Sequence, residues 1–155
     1  YLPGQSKEFS SYNKVHPFFP ELPEFAAGEH VTLFEIGEWK IASTICYDLR
    51  FPELFRDAVK KGANLITVQA AWPLIRKEHW VTLLKARAIE NQVYVAAVNG
   101  VDGNPTLGGN SMIITPQGEI ISRGSDNCEE IVNNTLNLSS LNEYRKSFPV
   151  LNGIV

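Results

Sequence analysis

Thr44-Ile45-Cys46-Tyr47-Asp48-Leu49-Arg50-Phe51-Pro52-Glu53 is the stretch around which the chain is organised. The run leading into it, Trp39-Lys40-Ile41-Ala42-Ser43-Thr44-Ile45, is apolar and β-branched, which predicts a buried strand ending on a cysteine. After Phe51-Pro52-Glu53 the apolar positions change to helical spacing. Leu54, Phe55, Ala58 and Val59 fall on one face and predict a helix over 52–61. A cysteine at the C-terminal end of a strand, just before a helix, sits where open α/β sheets keep their chemistry. Backbone N–H groups there lower a thiol pKa and receive a developing oxyanion. Cys46 therefore has two readings, a small buried hydrophobe or a reactive thiol.

Outward from this stretch the strand and helix patterns alternate. Residues 31–36 alternate as a strand, and Gly37-Glu38 turn the chain into the strand before Cys46. Gly62 ends the helix, and 65–69 form a short strand running into Ala70-Ala71-Trp72-Pro73. Strand, helix and strand with short joins make a βαβ unit, so these two strands are parallel neighbours. A longer helix over 76–91 carries Trp80, Leu83, Leu84 and Ala88, and residues 93–98 make another buried strand. The Gly- and Asn-rich loop at 99–109 precedes a hairpin, with strands at 111–115 and 119–121 around Pro116-Gln117-Gly118. A further strand is expected over 129–136 and a short helix over 141–146. Residues 1–30 hold Pro3, Pro17, Pro20 and Pro23 among aromatic groups, which excludes a regular helix and suits an ordered wall of a site. No internal repeat is present. The sum is a single α/β domain over 1–155 with mixed strand directions.

The bulk numbers exclude several classes. A chain of 155 residues with 44% hydrophobic and 20% charged residues is a globular composition, long enough to bury a core. The net charge of −3 comes from 14 basic and 17 acidic residues without a block of either sign. That argues against a nucleic-acid surface or a polybasic membrane anchor. Cys46 and Cys128 are the two cysteines, far apart and outside any metal-ligand spacing. A metal site and a disulfide framework are thus not expected, no cofactor is implied, and a reducing, cytoplasmic setting fits. No apolar run reaches the length of a membrane span, about 20 residues. Asn133-Asn134-Thr135 and Asn137-Leu138-Ser139 match the glycosylation pattern, a motif too short to weigh. The chain starts at Tyr1 without methionine, which has two readings, the interior of a longer protein or a mature, trimmed N-terminus.

A cysteine nucleophile needs a route to thiolate and a donor for the oxyanion. His16, His30 and His79 are the candidate imidazole bases, and spacing alone places none of them beside Cys46. Lys14 is a second solution, because an ammonium near a thiol stabilises thiolate and later the oxyanion. A carboxylate would still have to carry protons to the leaving amine.

Tyr12-Asn13-Lys14-Val15-His16-Pro17-Phe18 and Ile45-Cys46-Tyr47-Asp48-Leu49-Arg50-Phe51-Pro52-Glu53 resemble the lysine and cysteine motifs of the nitrilase superfamily of carbon–nitrogen hydrolases. Ala70-Ala71-Trp72-Pro73, Ala86-Arg87-Ala88-Ile89-Glu90-Asn91 and Gly109-Asn110-Ser111 through Pro116-Gln117-Gly118-Glu119 continue the resemblance in order along essentially the whole chain. The pattern is most similar to the amidase-like members. The resemblance implies that Cys46 is the nucleophile forming a thioester acyl-enzyme. It implies that Lys14 holds the oxyanion together with the Tyr47 backbone N–H. A second glutamate that orients the lysine matches Glu21, with Glu24 as the alternative. Ala71 and Trp72 match a loop lining the acyl pocket, against a reading of Trp72 as a core aromatic. Arg50, Glu53, Arg87 and Glu90 match recurring positions read as structural ion pairs and caps.

The implied fold is a four-layer α-β-β-α sandwich, here without its N-terminal strands and helices. The family's general-base glutamate lies before the lysine motif, ahead of where this chain starts. The expected function is hydrolysis of a small ω-amide or carbamoyl carbon–nitrogen bond with release of ammonia, this chain alone being close to inactive. The partners implied are a small-molecule amide and water, and a second copy in a homodimer or higher oligomer formed through the helices at 52–61 and 76–91. Two other classes are open, a non-catalytic binding or assembly module and a Cys-His acyl hydrolase using His79 or His16.

Overall fold

The computed structural model describes residues 6, 10–101 and 106–153. Tyr1 to Gly4 and part of the loop expected at 99–109 lie outside the described residues. Six strands form one sheet whose spatial order is the chain order. Strand β1 (Leu33–Ile36) pairs antiparallel with β2 (Trp39–Ile45), and Gly37, at φ +58°, makes the turn between them. Strands β2, β3 (Leu65–Ala70) and β4 (Tyr94–Asn99) run parallel. Helices α1 (Pro52–Lys60) and α2 (Lys77–Asn91) make the two crossovers that parallel pairing requires. Strands β5 (Met112–Ile114) and β6 (Ile120–Arg123) add an antiparallel hairpin at the far edge.

Alternation along the strands sorts the side chains into two faces. Ala42, Ile66, Val95 and Ile114 lie in register on one face, and Thr44, Val68, Ala97 and Met112 follow beside them. All eight are buried, with Leu54, Phe55, Ala58, Trp80, Leu84 and Ala88 of the two helices packed into the same core. The other face carries the row Ser43, Thr67, Ala96 and Ile113, each partly exposed, and Val98 at 60% exposure. Helices thus cover one face of the sheet and leave the other open among the described residues.

The expected elements at 31–36, 39–45, 52–61, 65–69, 76–91, 93–98, 111–115 and 119–121 all form, with ends shifted by a residue or two. The short helix is longer than expected, α3 at Leu138–Ser147, because Asn137 caps it by accepting from the Ser140 N–H at 2.9 Å. The strand expected over 129–136 does not form. Side chains hold this segment instead of a backbone ladder. Asn134 Nδ2 donates to the Ile121 carbonyl at 2.9 Å, and Ser122 Oγ donates to the Asn133 carbonyl at 2.8 Å. Asn and Ser side chains that bond to nearby backbone compete with strand pairing, and here they win.

Because β2, β3 and β4 are parallel, their C-terminal ends meet at one edge of the sheet. Cys46 follows β2, Ala71 and Trp72 follow β3, and Asn99 ends β4. The topology brings these positions together.

Candidate active site

Cys46 opens a 3-10 turn, Cys46–Arg50, and stands at φ +49°. A residue with a Cβ is strained in this left-handed region, and such strain persists only where its surroundings impose it. Two anchors do so. Asp48 Oδ2 accepts from the Ile45 N–H at 2.9 Å, closing the turn onto the end of β2. From the other side, Arg87 of α2 donates to the Leu49 carbonyl through Nε at 3.2 Å and Nη2 at 2.9 Å. Glu90 Oε1 holds Arg87 Nη1 at 2.9 Å, so Arg87 and Glu90 are structural, as their motif suggested.

Lys14 lies in the segment that precedes β1. Its Nζ donates to Glu21 Oε2 at 2.6 Å, and the same oxygen accepts the Phe18 N–H at 2.7 Å. The Lys14 ammonium holds the Glu21 carboxyl below its ordinary pKa. Of the two candidate glutamates, Glu21 is thus the one against the lysine. Gly28 donates its N–H to the Lys14 carbonyl at 2.8 Å. A Cβ there would stand 2.2 Å from the Asn13 carbonyl oxygen, so this close approach requires glycine.

Tyr12 and His16 flank the lysine, and both reach Asp48. The Tyr12 hydroxyl donates to Oδ2 at 2.7 Å, while His16 donates its backbone N–H to Oδ1 at 2.8 Å and sets its Nδ1 3.1 Å from that oxygen. Burial and the Asp48 contact push the Tyr12 phenol well above its ordinary pKa, so it stays a donor. The His16 ring stacks on Phe51 with centroids 3.7 Å apart.

A cleft of about 390 Å³ opens between these parts. Cys46, Tyr47, Phe18, Ala71, Trp72 and His79 line it. The alternative readings of Trp72 turn out to be compatible. It is 2% exposed and packs on Trp80, with ring centroids 5.6 Å apart, yet it also borders the cleft. Asn99 fixes it by accepting from the Trp72 N–H at 2.6 Å and donating to its carbonyl at 3.2 Å and to that of Gly109 at 2.9 Å. Arg50, expected to be a cap or ion pair, instead enters the cleft. Its guanidinium lies 4.8 Å from the Trp72 ring centroid, 6.0 Å from that of Tyr47, and Nη2 is 3.5 Å from His79 Nδ1.

Burial raises the Cys46 thiol above its ordinary pKa. A backbone hydrogen bond from Ala71 and the charge of Lys14 act against this, and the charges of Glu21 and Asp48 add to it. Lys14, Glu21, Cys46 and Asp48 thus lie within electrostatic reach of one another. His16 is occupied by Asp48, and His79 lies beside Arg50 on the cleft wall. Among the described residues no group of three or more His, Cys, Asp or Glu side chains could hold a metal ion, and no helix is long and apolar enough to cross a membrane. Two residues at the centre of this geometry, Asp48 and Arg50, had no site role assigned from sequence. Asp48 joins segments 32 and 36 residues apart, and no local spacing signals such a contact.

A cysteine elbow at a sheet edge, a lysine–glutamate pair and a cleft with a cation on its wall thus lie together. Comparison with known proteins identifies the family. Residues 2–146 match the model of the carbon–nitrogen hydrolase family. The chain is 43% identical to a 2-oxoglutaramate amidase of Paenarthrobacter nicotinovorans, over 92% of this chain and 51% of the relative. It is 42% identical to a 2-oxoglutaramate amidase of Bacillus subtilis, over 92% and 56%. The solved structure of XC1258 from Xanthomonas campestris, a CN-hydrolase superfamily protein with an arsenic adduct in its active site, superposes with a TM-score of 0.84 at 38% identity, over 93% of this chain and 58% of that one. The chain spans about half the length of the curated relatives it matches. It belongs, by its motifs, its fold and its relatives, to the carbon–nitrogen hydrolase family.

Proposed function

We propose that the chain carries the acyl-accepting half of an amidase that cleaves the ω-amide of a small carboxylic acid. The observation that carries this reading is Cys46, strained at the mouth of the cleft and within reach of the Lys14 charge. In the proposed reaction the Cys46 sulfur attacks the amide carbon and forms a C–S bond, and the carbonyl electron pair moves onto oxygen. Lys14 and the Tyr47 N–H take that oxyanion. The first N–H groups of a helical turn have no partner within it, and Tyr47 is second in its turn. Collapse breaks the C–N bond, the amine takes up the proton that the Cys46 thiol gave up and leaves as ammonia, and water then hydrolyses the thioester, returning a proton to sulfur. Glu21 orients Lys14, and Ala71 and Trp72 bound the acyl group.

Arg50 supports a substrate bearing a carboxylate. Its guanidinium lies over the Trp72 ring beside a small cleft, and an oxo-acid amide such as 2-oxoglutaramate, named in two relatives, presents an anion opposite its amide end. A thiol nucleophile must stay reduced, and both cysteines are free, so this reading places the chain in a reducing, cytoplasmic setting. Pairing of two copies through α1 and α2 belongs to the same reading. Ile89 of α2, 47% exposed, supplies apolar surface there.

Proton transfer limits the chain by itself. The two carboxylates whose charge reaches Cys46 are both engaged, Glu21 by Lys14 and Asp48 by three donors and the facing His16 ring. General acid–base help is worth about 10²–10⁴-fold, so turnover of an amide by this chain should be slow although acylation is possible. A nitrophenyl half-ester of glutaric acid tests the two steps separately, because its leaving group needs no proton. The expected result is one glutaryl group on Cys46 by intact mass, persisting as thioester, absent in Cys46→Ala. Absence of a Cys46 adduct would sink the reading, and rapid release of ammonia from the ω-amide would sink the missing-base argument.

A further inference from the structure

We infer that Asp48 is a positioning residue that sets Lys14 in register with Cys46. The inference rests on the proposed role of Lys14 beside the thiol. Asp48 is 0% exposed and lies two residues after Cys46. Its two carboxylate oxygens receive four contacts, and these divide between the two catalytic segments. Oδ2 takes the Ile45 N–H at 2.9 Å, which fixes the residue before Cys46, and the Tyr12 hydroxyl at 2.7 Å. Oδ1 takes the His16 N–H at 2.8 Å and faces His16 Nδ1 at 3.1 Å. Tyr12 and His16 stand two residues on either side of Lys14, and the Tyr12 oxygen also accepts the Val15 N–H at 3.2 Å. One buried carboxylate therefore holds the Tyr12 side chain before the lysine and the His16 backbone after it, and ties both to the end of β2.

The donor pattern explains why an acid is needed. The Ile45 and His16 backbone N–H groups cannot accept, and each faces a different oxygen of Asp48. An amide offers one acceptor and one NH₂ group, so Asp48→Asn sets N–H against N–H on one side whichever way it flips. The expected consequence is release of one anchor and drift of Lys14 away from Cys46. A purely electrostatic role predicts the opposite result. The Asp48 charge disfavours the Cys46 thiolate, so its removal alone would make the thiolate easier to form.

The sign of the effect is therefore the test. In a Cys128→Ser background that leaves one thiol, the rate of iodoacetamide addition to Cys46 is followed against pH by intact mass. Lys14→Met should move the profile up by about one pH unit, the scale of a nearby opposite charge. Asp48→Asn should also move it up, and should move it no further up when Lys14→Met is already present. A downward shift or no shift for Asp48→Asn in the presence of Lys14 overturns the inference, as does an equal upward shift in its absence. If Asp48→Asn loses its far-ultraviolet circular dichroism, Tyr12→Phe removes one donor without changing charge. It should give a smaller upward shift that needs Lys14, and no shift would overturn the inference. Should Lys14→Met itself leave the profile in place, the role of Lys14 fails and the inference with it. A Lys14 effect without an Asp48 or Tyr12 effect removes the inference alone.

Discussion

Burial dominates the chemistry of Cys46, for the thiol is held above its ordinary pKa despite the Ala71 hydrogen bond and the Lys14 charge. At neutral pH the side chain is therefore a thiol awaiting a base. Exposed Cys128 should accept iodoacetamide faster than Cys46 near pH 7, read from a peptide-mass time course. Faster labelling of Cys46 would mean that Lys14 and Ala71 outweigh burial. The same shift links stability to pH. A raised thiol pKa means that the folded chain keeps a proton the unfolded chain has lost, so this contribution is complete below the ordinary thiol value. It declines as pH rises above about 8.5, and Cys46→Ala should remove that alkaline slope in urea titrations. Arg50 allows a second prediction at this scale. Arg50→Met should slow acylation by the glutaric half-ester about tenfold and leave a neutral methyl ester unaffected, which corresponds to about 1.4 kcal/mol. Equal loss for both esters would make Arg50 structural. The family resemblance pointed to Cys46, Lys14 and Glu21, the first two through short recognisable runs and Glu21 through its place after the lysine. Asp48 lies in the same run, but its partners Tyr12 and His16 come from a segment brought near by folding. Arg50 has a local role in its motif and a different one in space, over Trp72.

At the scale of elements, the parallel β2–β3–β4 core was legible because its apolar runs, its helical faces and its short joins agree with one another. Each crossover helix buries one stripe, and the strand after it is predominantly apolar. Residues 129–136 were not legible in that way. Ile131 and Val132 suggest a strand, but Asn133 and Asn134 find backbone partners through side chains, and Ile131 ends 90% exposed. The ends of β3 and β4 are joined by Asn99, an arrangement that a Gly- and Asn-rich loop sequence does not announce. Asn99→Ala would leave the buried Trp72 N–H and the Gly109 carbonyl without this partner. The expected loss is about 3 kcal/mol, read as a lower urea midpoint at unchanged slope. Since Ala71 adjoins the released Trp72, the Cys46 alkylation profile should also move up. A loss of stability below about 0.5 kcal/mol, the range of neutral surface changes, would show that the clamp is dispensable.

The α/β class of the whole molecule followed from the order of its periodicities, whereas the state of its second sheet face is a property of tertiary packing. Ser43, Thr67, Ala96 and Ile113 form a partly exposed row there, with Val98 60% exposed beside it. Helix-facing rows are buried, so the two faces make opposite predictions for an added charge. In the four-layer architecture implied by the family this open face would carry a second sheet, and a lysine in the middle of it would meet apolar surface. In the chain of 155 residues alone it would meet water. Val98→Lys should then change the unfolding free energy by less than about 0.5 kcal/mol. The mirror substitution Val68→Lys, at a fully buried position under α1 and α2, should abolish cooperative unfolding because a charge is trapped in the core. Repeating Val98→Lys at rising protein concentration separates an open face from one covered by a second copy. A cost of several kcal/mol that grows with concentration would mean that this face is buried between copies, and a concentration-independent cost would mean that the face is closed within the chain.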